Sequence, residues 1–421
     1  MKLASRHYMR FVSAARWSSG LGRLGIIVMA GMASQAMAED CADADRQACS
    51  AWGVEAAYTA DLLRNTSGGI ESGNAYLDGF DVIASLDAER TWGWAGVRLH
   101  GHVQYNNGAE FSANRVGDVQ SVSNIEGVGT WRVYELWAEM QFGAAEAPRS
   151  VRFGLYDLNS EFDSIDSAGL FLNASHGIGP EYAQSGLNGP SIFPVTSLAL
   201  RLRRESVNSY WQLAALDAVP GDRDNPTRSG IHLSGEEGAL LAGEWGMSRG
   251  RLSKLAVGAW SYTGRFDSLN EIDPVSGSPI RGRGNRGLYA LVDVAIGEVA
   301  GRRVDGFVRI GAAEDKFNAV ADYLGAGLVV SAPFSARPDD QFGLAIATAG
   351  AGNSLRGVAL GSGVPLQRRE TTIELTYRAT VTDWLTLQPD LQYVRQPGFD
   401  ASLQDASVIG LRLEFSGALP R

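Results

Sequence analysis

A two-residue periodicity recurs along nearly the whole chain, and no other feature constrains the fold so strongly. Within Ala95–Tyr105, the residues Ala95, Val97, Leu99, Gly101, Val103 and Tyr105 share one face, and Arg98, His100, His102 and Gln104 share the other. Tyr134, Leu136, Ala138, Met140 and Phe142 oppose Glu135, Trp137, Glu139 and Gln141 in the same way. So do Ile373, Leu375, Tyr377 and Ala379 against Glu370, Thr372, Glu374, Thr376 and Arg378. Successive side chains of a strand point to opposite sides, so this alternation marks strands with one apolar and one polar face. Sixteen such segments begin near Trp52, Leu77, Ala95, Trp131, Ser150, Ser197, Ser209, Ala239, Lys254, Arg286, Asp305, Tyr323, Asp340, Glu370, Trp384 and Ser407.

The connections between them alternate in length. Those at 89–94, 143–149, 205–208, 247–253, 296–304, 332–339 and 380–383 are short. Those at 63–76, 106–130, 159–196, 218–238, 264–285 and 349–369 are longer, with 313–322 and 395–406 between. A soluble sandwich has no reason to alternate its connections, whereas an outer-membrane barrel has short periplasmic turns and long extracellular loops. The chain also carries no helical or second-sheet pattern to cover so many apolar faces. A barrel that turns them outward to lipid, with polar faces toward a wet lumen, resolves this and leaves no open sheet edge. The expected fold is all-β: a transmembrane antiparallel β-barrel of about 16 strands, of the outer-membrane porin type. Trp52, Trp131, Trp211, Trp245 and Trp384 lie near the ends of these segments, as an interfacial aromatic girdle requires.

Composition fits a barrel and excludes other classes. The 51 glycines among 421 residues suit turns and tight strand positions, and a hydrophobic fraction of 45% averages two unlike strand faces. The mature chain has no run of the ~18–20 apolar residues that a membrane helix needs. A net charge of −10 argues against nucleic acid as a partner. Residues 1–38 read as a signal peptide. Lys2, Arg6, Arg10, Arg16 and Arg23 form its basic region, Leu24 to Ala33 its apolar core, and Ala36-Met37-Ala38 its cleavage site. Removing those five positive charges takes the net charge to −10 − 5 = −15. Residues 39–51 then form a periplasmic tail, and 52–421 a single pore domain whose loop near 159–196 folds inward. Cys41 and Cys49 follow the cleavage site and are candidates for a disulfide in an oxidising compartment. No metal site and no cofactor is expected.

The C-terminal third carries motifs that resemble a known family. Ala336-Arg337-Pro338-Asp339-Asp340-Gln341-Phe342-Gly343-Leu344 is similar to a motif of the carbohydrate-selective porins, the OprB family. So are Glu374-Leu375-Thr376-Tyr377-Arg378-Ala379 and the run Trp384 to Val394 with Pro397-Gly398. Arg132-Val133-Tyr134-Glu135-Leu136-Trp137 and Gly154-Leu155-Tyr156-Asp157 fit the same family, and the resemblance spans about 52–415. It implies a 16-stranded barrel in the Gram-negative outer membrane that admits mono- and oligosaccharides by diffusion. Its surroundings would be outer-membrane lipid and lipopolysaccharide, and homotrimers are common among porins.

A channel's selectivity comes from what lines its narrowest point. By similarity to general porins, the third long loop folds into the lumen, which places Asn159, Glu161, Phe162 and Asp163 near the constriction. Sugars are neutral and hydroxyl-dense, so a sugar filter needs polar groups that both donate and accept, beside aromatic or guanidinium planes. The polar strand faces offer Arg98, His100, His102, Glu135, Trp137, Glu139, Arg152, Arg309 and Glu374. Three alternatives compete, one of them a structural or adhesive barrel with a plugged lumen, which near-zero single-channel conductance would support. A general or anion-selective porin would draw on Arg98, Arg152, Arg201, Arg203, Arg309 and Arg412. An enzyme on a barrel scaffold would need a nucleophile and base on the rim, and only Ser175-His176 sets such residue types side by side.

Overall fold

The computed structural model describes residues 51–418 except 229, 232 and 365. The expected signal peptide, most of the expected N-terminal tail, and the disulfide candidates Cys41 and Cys49 lie outside the described residues. Among the described residues, eighteen strands form in chain order. They are β1 (Trp52–Gly69), β2 (Gly73–Asp87), β3 (Val97–Asn106), β4 (Thr130–Phe142), β5 (Arg149–Tyr156) and β6 (Ser197–Ser206). Next come β7 (Ser209–Asp217), β8 (Ala239–Arg249), β9 (Leu252–Tyr262), β10 (Phe266–Ile272), β11 (Pro279–Gly282) and β12 (Arg286–Val299). The last are β13 (Arg302–Ala313), β14 (Val320–Ser331), β15 (Gln341–Ala351), β16 (Arg369–Thr382), β17 (Leu385–Arg395) and β18 (Gln404–Ala418). β10 and β11 form a hairpin of their own within a loop, and the other sixteen close into one antiparallel barrel. β1 seals the barrel against β18, from Glu55 opposite Ala418 to Gly69 opposite Gln404.

Every one of the sixteen alternating segments is a barrel strand, including the weakly patterned ones at β8 and β14. The first long connection is where sequence and structure part. The expected loop at 63–76 shrinks to residues 70–72, because β1 and β2 run on as a long hairpin. Leu63 and Leu77 hold this extension down, packing on Phe111, Val116 and Val122 of the second loop (107–129). A strand that finds such a cover continues past the bilayer.

Outward positions are apolar along the barrel. Leu136, Phe153, Leu213, Val257, Leu288, Ile310, Leu344, Leu391 and Ile409 are all exposed on that face. Trp52, Trp131, Trp211, Trp245 and Trp384 sit at its edges, between 41 and 56% exposed. Inward, the lumen is not empty. The third loop (157–196) and the second loop both enter it. Leu158, Phe162, Ile165, Leu170, Phe171 and Tyr182 of the third loop pack on wall residues Leu216, Trp260, Tyr262, Tyr289 and Phe307. Fully burying such a side chain contributes about 1.5–3 kcal/mol. The wall beneath makes room with small residues. A Cβ on Gly343 would stand 2.8 Å from both Leu170 and Phe171, so only glycine lets the loop approach there.

Candidate functional site: a loop-built constriction

Period-two geometry sets the first side of the constriction. His100 on β3 faces Trp137 on β4, and Glu139 on β4 faces both Arg98 on β3 and Arg152 on β5. All point inward. The Trp137 ring is covered on two counts: His100 stacks on it at 4.5 Å and 11°, and the Arg152 guanidinium lies 3.8 Å from its centroid. Trp137 Nε1 donates to Glu135 at 3.2 Å, and the backbone N–H of Asp157 donates to the same oxygen at 3.0 Å. His100 Nε2 lies 3.6 Å from Glu135, and His102 Nε2 lies 2.8 Å from Asp81.

Arg201 on β6 anchors the next layer. It is buried, with Nη2 2.7 Å from both Glu139 and Glu161 and Nε 2.7 Å from Glu161. Arg152 adds contacts of 3.4 Å to Glu139 and 3.5 Å to Glu161. Two guanidinium groups and two carboxylates therefore alternate. Burial opposes the charge on Glu161, yet Arg152 and Arg201 hold its carboxyl below the usual range. Tyr156 donates to Glu161 at 2.6 Å and fixes its orientation.

Behind this strip, the third loop is clamped to the far wall. Arg309 on β13 makes two forks, to Asp163 at 2.7 and 2.5 Å and to Glu181 at 2.8 and 3.2 Å. Glu374 on β16 accepts the backbone N–H groups of Leu172 at 2.6 Å and Asn173 at 3.1 Å. Asn159 Nδ2 ties the loop to itself through the carbonyls of Phe162, Asp163 and Gly177. The second loop seats beside it, on β16, β18 and β1. Glu370 accepts from Val119 N at 2.9 Å and Gln120 Nε2 at 3.1 Å, and Arg412, paired with Asp61 at 2.7 Å, donates to Asn124 at 2.8 Å. The two loops join where Ala174 N donates to Ser121 O at 2.9 Å and Asn124 N to Leu172 O at 2.8 Å. Together they form a diaphragm across the lumen.

The expected lining thus divides. His100, His102, Glu135, Trp137, Glu139, Arg152 and Glu161 converge on one strip. Arg98 is exposed, near the β3 end that leads to a short turn, and its guanidinium makes no hydrogen bond or ion pair among the described residues. Three expectations are corrected. Phe162 is 1% exposed in the loop's apolar core, and Arg309 and Glu374 are buried under the loop as its anchors. Their inward direction was readable, but the loop that covers them was not. Arg201, Glu181, Glu370 and Arg412 are buried residues whose structural role the sequence reading did not single out; alternation gives the inward direction of Arg201, Glu370 and Arg412, while Glu181 lies in the loop segment Pro180–Ala183 and carries no such signal. Ser175 and His176 are also buried, and the Ser175 hydroxyl donates to Asn173 at 2.6 Å rather than to a base. Burial lowers His176 to about 3, which keeps it neutral.

A closed sixteen-stranded barrel with an apolar outer wall, a polar lumen and loops folded into it defines the class: this is a porin. The model of the family "Carbohydrate-selective porin, OprB family" matches residues 71–416, and the chain belongs to that family. Porin B of Pseudomonas aeruginosa is 28% identical over 398 residues, covering 85% of this chain and 86% of that protein. The high-pH structure of Pseudomonas putida OprB superposes with a TM-score of 0.75 at 24% identity, over 87% of this chain and 94% of that one. The outer-membrane channel DcaP of Acinetobacter baumannii shares the fold at a TM-score of 0.51 and 9% identity, over 87% of this chain and 96% of that one.

Proposed function

We infer that the barrel is a water-filled channel through which carbohydrates cross the Gram-negative outer membrane by passive diffusion. Family membership supports the permeant class. The observation that carries the mechanism is the strip of His100, Trp137 and Arg152 interleaved with Glu135, Glu139 and Glu161. A sugar hydroxyl both donates and accepts, so alternating donors and carboxylates match a chain of hydroxyls. The carboxylates Glu135, Glu139 and Glu161 already accept from protein donors, whereas His100 Nε2 and Arg152 Nε are buried without a hydrogen-bond partner. A passing sugar hydroxyl can pair with those two nitrogens and must exchange contacts with the carboxylates, so binding stays weak enough for release.

An ion meets the same strip differently, because its charges are largely neutralised within the protein. Of the six arginines that would favour an anion channel, Arg152, Arg201, Arg203, Arg309 and Arg412 each lie within 4 Å of a carboxylate. This weighs against the anion-selective alternative. The test pairs glucose-driven liposome swelling with salt conductance in planar bilayers. Trp137→Ala together with Arg152→Gln should lower glucose flux several-fold more than conductance. Equal changes in both would sink the filter.

A further inference from the structure

The outer wall carries a groove on the half nearest the long loops. Gly243 on β8 and Ala259 on β9 stand opposite each other and face outward, and Ala312 lies two strands further, opposite Leu288 on β12. Leu213, Leu241 and Leu288 rise around these small residues. The result is a furrow of about 1010 Å³ in the apolar outer wall. Its loop-side end is polar, lined by Ser261, Arg286, Glu314 and Asp315.

The charges there are not equivalent. Asp315 accepts the Asn353 N–H at 3.0 Å. Further round the rim, Arg369 is taken by Asp322 at 2.7 Å, and Lys316 by Glu271 at 2.6 Å. Arg286 is exposed, and its guanidinium makes no hydrogen bond or ion pair among the described residues. The Glu314 side chain likewise makes none among them. An uncommitted guanidinium thus stands at the mouth of an apolar furrow.

We propose that this furrow is a docking site for lipid A, with an acyl chain in the groove and a phosphate on Arg286. The long loops mark the extracellular side, so the furrow opens into the outer leaflet, and that leaflet is lipopolysaccharide in a Gram-negative cell. Lipid A sets phosphate groups directly above several acyl chains, which is the order of chemistry the furrow presents. A guanidinium binds phosphate through two parallel N–H bonds, and the pair is charge-assisted. Glu314 joins the same headgroup through a divalent cation, whose oxygen ligands include carboxylate and phosphate alike. The site lies outside the lumen and is independent of what the channel passes.

Native mass spectrometry of the full barrel in detergent with Mg²⁺ tests this, using lipid A, dephosphorylated lipid A and phosphatidylglycerol as probes. Lipid A should bind at least tenfold more tightly than either of the others. Arg286→Glu should weaken lipid A at least tenfold, and Ala259→Leu, which fills the furrow, should do the same. Both variants should keep wild-type single-channel conductance, which also reports that they fold. Lipid A bound as well by either variant as by the wild type overturns the proposal, and so does equal binding of phosphatidylglycerol.

Discussion

Replacing Arg309 by Met isolates the force that holds the constriction closed. Arg309 is 2% exposed and its four short bonds go to two carboxylates, Asp163 and Glu181, that both belong to the third loop. Methionine keeps the length of the side chain and removes the charge. Two buried carboxylates then face each other with no cation between them. Removing one partner of a buried ion pair costs about 3–5 kcal/mol. At about 1.4 kcal/mol per tenfold, the ratio of docked to undocked loop falls by roughly two to three and a half orders of magnitude. The apolar seat formed by Leu158, Phe162 and Phe171 remains, so the loop loosens without leaving the lumen permanently. Single-channel recordings should show larger and noisier conductance, and the ratio of glucose flux to conductance should fall. The barrel itself should keep the heat-dependent gel mobility of a folded porin. Adding Asp163→Asn and Glu181→Gln to Arg309→Met should restore quiet channels, because the stranded charges are gone. A quiet, wild-type conductance and selectivity in folded Arg309→Met alone would refute the reasoning.

Two further outcomes follow from the second loop and from a turn. Burial raises the Asp118 carboxyl to about 6 and that of Glu126 to about 8. Free carboxyls titrate near about 4, so between these values the docked loop binds more protons than the undocked one. Its seat is firmest in acid and weakens as pH rises through 6 and 8; protection of the 107–129 amides, corrected for base-catalysed intrinsic exchange, should be lower at pH 8.5 than at pH 5, and equal or higher protection at pH 8.5 would contradict the burial argument. At the turn between β14 and β15, Asp340 accepts from Arg337 at 2.6 and 3.0 Å and from the Thr380 N–H at 3.1 Å. Asp340→Ala should cost about 1–3 kcal/mol, the penalty for orphaning such donors, seen as a lower urea midpoint for the lipid-embedded barrel; an unchanged midpoint would show the turn is not held this way.

The barrel was legible because its signal is local and repeated. Period two sets the inward or outward direction of each residue, and sixteen repetitions leave little choice of topology. The constriction was only half legible. Alternation shows that Arg309, Glu374 and Arg152 all point inward, and it cannot distinguish them further. Arg309 meets Asp163 across 146 residues, and Glu374 meets Leu172 across 202. Arg152 differs because the loop reaches it only through Glu161 and leaves it partly exposed. The family-like stretch around Arg337 and Asp340 proved to be a turn clasp, not part of the pore. Such a motif identifies a lineage through its scaffold while the permeant is met elsewhere.

The placement of the loop anchors ties the ends of the chain to the bore of the channel. The second and third loops are complete by residue 196, but they seat on Arg309, Glu370, Glu374, Gln392 and Arg412. Those residues belong to β13, β16, β17 and β18, the C-terminal strands of the barrel. Contacts at such separations carry a loop-closure cost, which the closed wall lowers by fixing where each loop begins and ends. Arg412 on β18 pairs with Asp61 on β1 and donates to Asn124 of the second loop, so the seam between the first and last strands doubles as the latch that makes the pore narrow.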